Sequence, residues 1–151
     1  MYKILTLNSL NGKIITSDRA DKNILAKFLN KLDNICNKHG IPKFSELIDY
    51  THFSLDYGVI PFPEGMSLDD EVMAERGKWL DADKAYYQLN ALYNILQHQP
   101  VRFGFLKNQY TQVLLELSEC ISFTKIAKDN GYKVNLSETV SGEDISYYPS
   151  F

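Results

Sequence analysis

The sequence contains only two cysteines, Cys36 and Cys120, and no CxxC pair. This excludes a disulfide framework and the usual structural zinc spacings. Each thiol falls on an apolar helical stripe, where cysteine behaves as a small buried hydrophobe. Cys120 has Glu116 and Glu119 as sequence neighbours, the wrong field for a nucleophilic thiolate. Histidine is equally scarce. His39, His52 and His98 lie far apart, so no two of them are spaced as helical metal ligands. Long apolar runs are also missing, which excludes a membrane-spanning helix. The opening MYKILTLNSLNGK has no apolar run ahead of a small-residue cleavage site, so the expectation is a soluble protein without a leader, at home in a reducing cytoplasm. The patterns GxGxxG, GxxxxGK[ST] and GxSxG do not occur, which removes the phosphate cradle and the nucleophile elbow. No DxDxDG calcium loop occurs either. No metal and no cofactor are therefore implied.

The rest of the composition is that of an ordinary globular domain. The chain has 151 residues, 44% apolar and 23% charged. That length supports one domain, residues 1–151, able to bury roughly 68–70% of its unfolded surface without a staple. Residues 142–151 read as a flexible tail whose ISYYPSF end serves as a docking peptide, augments a sheet edge as a strand, or packs back on the body.

Apolar spacing indicates an α+β fold, mostly helical, with three long helices, several short ones and a small sheet built from the two ends of the chain. Residues 3–7 and 13–16 read as strands around an Asn11-Gly12 turn, with 13–16 equally readable as a lead-in to the next helix. Ile24, Leu25, Phe28, Leu29, Leu32, Ile35 and Cys36 form one stripe of a helix over 21–39, with Lys22, Lys27 and Lys31 off the stripe and Ser17 or Asp18 as its cap. Gly40 and Pro42 end it. A short helical turn follows at 44–48. Residues 49–63 read as an irregular loop tied down by Tyr50, Phe53, Tyr57 and Phe62. A short helix is expected over 68–76, and a long one over 82–97 capped by Asp81. A second long helix over 108–130 is apolar on more than one face and hence central. Residues 132–136 read as a strand, pairing with the first.

The net charge of −3 conceals an uneven map. Residues 1–45 carry eight basic and three acidic side chains, a net of +5; residues 46–83 carry two basic and ten acidic, a net of −8; the remainder is balanced. Nucleic acid is a poor partner for such a chain, because phosphate binding needs a basic footprint. An acidic middle instead suits a basic protein, since complementary charge speeds encounter and sets specificity. The candidate partner-binding residues are Asp69, Asp70, Glu71, Glu75, Asp81 and Asp83, with Tyr57, Phe62 and the single tryptophan, Trp79, as aromatic anchors. Trp79 also fits a packing anchor at the entry to the 82–97 helix.

One constellation suggests chemistry. His52 lies close in sequence to Asp49 and Asp56, and a histidine coupled to a carboxylate is the simplest general base. His39 and His98 sit in the last turns of helices, where a partial positive charge is stabilising without function. The leading functional expectation is a small non-enzymatic protein-binding module, such as an inhibitor or immunity protein that neutralises a basic, nuclease-like toxin. The alternatives are a small enzyme built on the His52 loop and a homo-oligomeric structural adaptor.

Overall fold

The computed structural model describes residues 3–18, 20–66 and 68–140. The fold is mixed α+β, mostly helical, around a small open sheet. The chain opens with β1 (Lys3–Asn11) and β2 (Ile14–Ser17), an antiparallel hairpin. Its turn places Gly12 at φ 63°, which a glycine adopts without penalty. Helices α1 (Asn23–Lys27) and α2 (Leu29–Lys38) follow, then a 3₁₀ turn over Phe44–Leu47 and β3 (Ile48–Asp49). Two short helices, α3 (Thr51–Asp56) and α4 (Asp69–Arg76), make an excursion before β4 (Leu80–Asp81). The long helices α5 (Ala82–His98) and α6 (Tyr110–Asp129) lead into β5 (Lys133–Val140).

The last strand pairs with the first over eight positions, from Lys3↔Val140 to Leu10↔Lys133. Strand order is β2-β1-β5-β3, with β4 also on β5. Period-two alternation gives this sheet two different faces. Leu5, Leu7, Val134 and Leu136 join the main core with Leu25, Leu32, Leu89, Leu96, Phe103, Val113 and Leu117. The opposite face is polar. Asn8 and Asn135 are register partners and both are buried. Asn8 Nδ2 donates to Asn135 Oδ1 at 2.9 Å and to Ser137 Oγ at 3.1 Å, while Asn8 Oδ1 accepts from Ser17 Oγ at 2.6 Å. Asn135 Nδ2 reaches the Lys78 carbonyl at 2.9 Å.

That contact starts the seat of the α3–α4 excursion. The buried Asp49 carboxylate accepts the Lys78 N–H at 2.8 Å, the Thr51 hydroxyl at 2.9 Å and the Thr51 N–H at 3.1 Å. Gly77 allows the close approach, because a Cβ there would lie 2.5 Å from the Met73 carbonyl oxygen and 3.2 Å from Asp49 Oδ1. Trp79 Nε1 donates to the same Met73 carbonyl at 2.8 Å. Leu55, Val72 and Met73 are buried but lie outside the main core cluster. The excursion is therefore a lobe with its own small apolar centre, fastened to the sheet by hydrogen bonds.

Several expectations change. The helix expected over 21–39 breaks at Phe28, because its halves bury against different partners: α1 packs on β1 and α6, α2 on the 3₁₀ turn. Phe28 turns edge-on to Phe103, with ring centres 5.3 Å apart. Neither expected cap serves that helix: Ser17 ends β2 and bonds Asn8, while Asp18 holds the Ala20 N–H and the Lys22 ammonium. Lys22, placed on the polar side by spacing, is 0% exposed. Its Nζ meets Asp18 at 3.0 Å, the Ala20 carbonyl at 2.7 Å and Glu119 at 3.4 Å. Burial alone would lower the Lys22 pKa, but the Asp18 bond and the surrounding anionic groups raise it above the usual lysine value. Glu116, also buried, accepts the N–H groups of Ile24 and Leu25, yet burial still raises its carboxyl pKa. Cys36 and Cys120 are buried free thiols, and burial pushes Cys120 up to about 12. The loop expected over 49–63 contains β3 and α3, and of its four expected tethers Tyr50, Tyr57 and Phe62 are exposed. The tail expected over 142–151 lies outside the described residues.

Two stability effects follow. Asp49→Ala leaves the Lys78 and Thr51 donors unpaired and is expected to cost about 2–3 kcal/mol in urea unfolding, with faster proteolytic nicking between α3 and α4. Lys22→Ala leaves the Asp18, Glu116 and Glu119 carboxylates without their cation and is expected to cost about 3–5 kcal/mol in the same assay.

Candidate functional site: an acidic aromatic lobe

The polar seat aims the lobe outward. Between positions 49 and 76 the chain carries Asp49, Asp56, Glu64, Asp69, Asp70, Glu71 and Glu75 against a single Arg76. Three of these, Asp69, Asp70 and Glu71, occupy the first turn of α4, where negative charge complements the helix dipole. Glu71 Oε1 accepts the Leu68 N–H at 3.1 Å and so closes the helix start. The chain between the helices folds back on α3, with the N–H groups of Val59 and Ile60 both reaching the Ser54 carbonyl, at 2.8 and 3.2 Å.

This folding-back leaves apolar side chains outside. Twelve large hydrophobic residues are exposed among the described residues, and six of them fall between positions 50 and 68: Tyr50, Tyr57, Val59, Ile60, Phe62 and Leu68. Val59 is 66% and Leu68 62% exposed. Phe53 is half-buried and stacks at a tilt on Tyr57, with centroids 4.7 Å apart, which holds the Tyr57 ring. The lobe thus presents apolar side chains rimmed by carboxylates. On its flank, Lys13 from the β1–β2 turn faces Glu71 and Glu75 across a depression of about 410 Å³.

The α3–α4 junction also collects titratable groups. His52 Nε2 lies 3.1 Å from Asp70 Oδ1, an ion-pair distance, but is not aligned for a hydrogen bond. Asp56 shares a hydrogen bond with Asp69. Partial burial, that bond and the Asp69 charge raise the Asp56 pKa above the usual aspartate value, and the nearby His52 opposes the shift. Such a carboxyl pair holds a proton that an isolated aspartate would release. Among the described residues, no group of three or more histidine, cysteine, aspartate or glutamate side chains is arranged to hold a metal ion.

The residues singled out from sequence separate into three places. Tyr57, Phe62, Asp69, Asp70, Glu71 and Glu75 share the lobe. Trp79 is half-buried and turned onto Met73, as a packing anchor is. Asp81 and Asp83 stand at the start of α5, beside a separate depression that Lys128 also lines. His52 lies near Asp56, but Asp49 faces Thr51 and Lys78 instead, and the carboxylate within 3.1 Å of His52 is Asp70. Sequence reasoning passed over Tyr50, Val59, Ile60 and Leu68 as contact residues. Their signal was a set of apolar residues in a stretch punctuated by Gly58, Pro61, Pro63 and Gly65, without the spacing that would bury them.

The Asp56–Asp69 pair has a signed pH consequence. A raised aspartate pKa means that the folded state keeps its proton to higher pH than the unfolded state. The pair's contribution is present at acid pH and lost as pH rises through the folded-state value. Asp56→Asn keeps a donor for Asp69 and removes that loss. Relative to wild type, the variant should therefore gain a few tenths of a kcal/mol, about 0.2–0.5, between acid and neutral pH, an amount limited by solvent screening. Urea midpoints across that range measure it. No family model matches this chain, nor does any curated protein or solved structure match it at a significant level.

Proposed function

We propose that this protein acts by binding another protein through the acidic lobe, and that the partner is basic. The observation that carries this reading is the concentration of exposed Tyr50, Tyr57, Val59, Ile60, Phe62 and Leu68 beside the carboxylates of α4. Exposed aromatic anchors inside a charged rim are how specific interfaces are built. The rim steers a positive partner, and the anchors supply the affinity that exposed charge pairs do not. In its concrete form, the protein is an inhibitor or immunity protein that covers the cleft of a nucleic-acid-cleaving toxin. Such a cleft is positive because its substrate is a polyanion. An acidic surface with aromatic knobs occupies it without chemistry of its own.

A second reading, a small acid–base enzyme, draws on one observation, the meeting of His52, Asp56, Asp69 and Asp70 at the α3–α4 junction. It separates from the first by what each substitution does. His52→Ala abolishes the activity of an enzyme but leaves a docking surface largely intact.

The test is affinity capture from the native host with tagged wild type, in parallel with Asp69→Asn/Asp70→Asn/Glu71→Gln/Glu75→Gln and with Tyr57→Ala/Phe62→Ala. The expected result is a basic protein captured in stoichiometric amount, whose nuclease activity falls when the wild type is added. The charge variant should slow association and flatten its salt dependence. The aromatic variant should weaken binding by at least about tenfold, mainly through faster dissociation. If both variants bind the captured protein as wild type does, the lobe is not the interface.

A further inference from the structure

Apart from the lobe, the molecule carries a second exposed apolar feature of a different kind. This feature and the last turn of α4 lie at opposite ends of α6. At its C-terminal end, Gly131 and Lys133 line the same depression as Glu75 and Trp79. At its N-terminal end stands the turn joining α5 to α6, residues 99–109. The twenty residues of α6 span about 30 Å, at 1.5 Å each.

The tip of this turn is Phe105-Leu106, and the two side chains are 93% and 92% exposed. No other large hydrophobic among the described residues is exposed as fully. The tip is also held in shape. Phe103 is fully buried against Phe28 and anchors the base. The Phe103 carbonyl accepts the Gln109 N–H at 2.6 Å, and Asn108 Oδ1 accepts the N–H groups of Phe103 and Tyr110 at 3.0 and 3.1 Å. The Arg102 guanidinium donates to the carbonyls of Gly104 and Phe105, both at 3.0 Å. Gly104 sits at φ 104°, and a Cβ there would come 2.4 Å from the Lys107 carbonyl oxygen. A flexible loop would hide two large apolar side chains against the body; this one holds them out.

Four exposed cations surround the tip: Lys27, Lys31, Arg102 and Lys107. Lys31 bonds the Arg102 carbonyl and Lys27 bonds Gln109 Oε1. Among the described residues none of the four is paired with a carboxylate, and residues 99–110 contain no acidic side chain at all. The Lys27 and Lys31 ammonium groups also sit 5.2 Å from the ring centres of Phe28 and Phe103, which keeps positive charge at the base of the turn.

We infer that this turn is a wedge for an anionic lipid surface. Phe105 and Leu106 enter the boundary between headgroups and acyl chains, and the four cations sit at the headgroups. A protein partner is the weaker fit. Two side chains on a convex tip fall far short of the roughly 1,000 Å² that a specific protein interface needs, whereas a fluid surface accepts a wedge without a matching shape. Apolar insertion and attraction of basic side chains to anionic lipid are the two components of peripheral binding. The last turn of α4 and the tip stand about 30 Å apart along α6, nearly four Debye lengths at physiological salt, so Glu75 does not cancel the attraction. No described helix is long and apolar enough to cross a membrane, and a wedge of this kind leaves no such run in the sequence. The inference stands apart from the docking role of the lobe and does not rest on it.

The experiment is co-sedimentation with vesicles of phosphatidylcholine alone or with about one-third phosphatidylserine, at low and physiological salt. Wild type should bind the anionic vesicles, at least about tenfold more weakly at the higher salt, and not the neutral ones. Phe105→Ser/Leu106→Ser alters only exposed side chains, so circular dichroism should be unchanged while binding falls at least about tenfold. In Phe105→Trp, emission should shift to the blue on anionic vesicles, whereas wild-type Trp79, at the far end, should not respond. Absence of binding, or binding that the double variant does not reduce, overturns the inference. So does a mass that rises with protein concentration without vesicles and is restored to the monomer by the double variant, since the tip would then seat in another protein copy.

Discussion

The hydrogen-bonded ladder on the polar face of the central strands governs the rest of the structure. Asn8 and Asn135 face one another across β1 and β5, the positions where a sheet buried on both sides would normally carry apolar residues. An asparagine has four hydrogen-bonding positions, and leaving one unmet inside a protein costs more than a satisfied bond returns. The pair is therefore stable only when something polar covers it. Ser17 and Ser137 meet part of the demand, and the Lys78 backbone meets more. Lys78 is in turn held by Asp49, whose other contacts fix the first turn of α3. A requirement at the sheet thus ties down both ends of the excursion, at Asp49–Thr51 and at Lys78.

Polar docking also separates two kinds of stability within one chain. The helical side of the sheet joins a continuous core that includes α1, α2, α5 and α6. The lobe has Leu55, Val72 and Met73, and little else that is apolar and buried. Its cohesion depends on directional bonds, on Trp79 against Met73 and on contacts between α3 and α4 that involve titratable groups. Elements with few buried apolar contacts open at lower free energy than the core around them. In the proposed docking role the lobe would gain from this, because its side chains could adjust to a partner without disturbing the fold.

The legible parts of the sequence were those where a single partner dictates the pattern. α5 packs one face against α6, and its spacing of three and four showed it to within a residue or two. The Asn11-Gly12 turn and the pairing of the chain's two ends were readable because turn chemistry and strand alternation are local. The break at Phe28 was not, since the apolar stripe runs on unbroken while the surface it covers changes from β1 and α6 to the 3₁₀ turn. Lys22 was misread for a related reason: a lysine off the stripe looks solvated until Asp18 and Glu119 are brought to it from elsewhere. Within the lobe, sequence identified the acidic residues but not what they adjoin. Aromatic residues between prolines and glycines suggested tethers, since buried rings usually pin irregular chain. Nothing local reveals that the sheet face toward Lys78 is polar, or that Tyr50, Tyr57 and Phe62 stay exposed while Phe53 is half-buried.

The same logic explains how a chain of modest net charge carries strong local fields. The basic N-terminal segment offsets the acidic segment only in part. The cation facing Glu71 and Glu75 is Lys13 on the hairpin, and Lys22 is consumed inside by Asp18 and Glu119. Lys27 and Lys31 lie with Arg102 and Lys107 at the other end of α6. Charges about 30 Å apart in salt, as Glu75 and the cations at the tip are, act independently, which is what two separate proposed surfaces require. Neutralisation by internal pairing would have added little stability, because exposed ion pairs are worth under about 1 kcal/mol. Keeping Lys27, Lys31, Arg102 and Lys107 away from carboxylates forgoes that small gain and preserves a basic surface beside exposed apolar side chains.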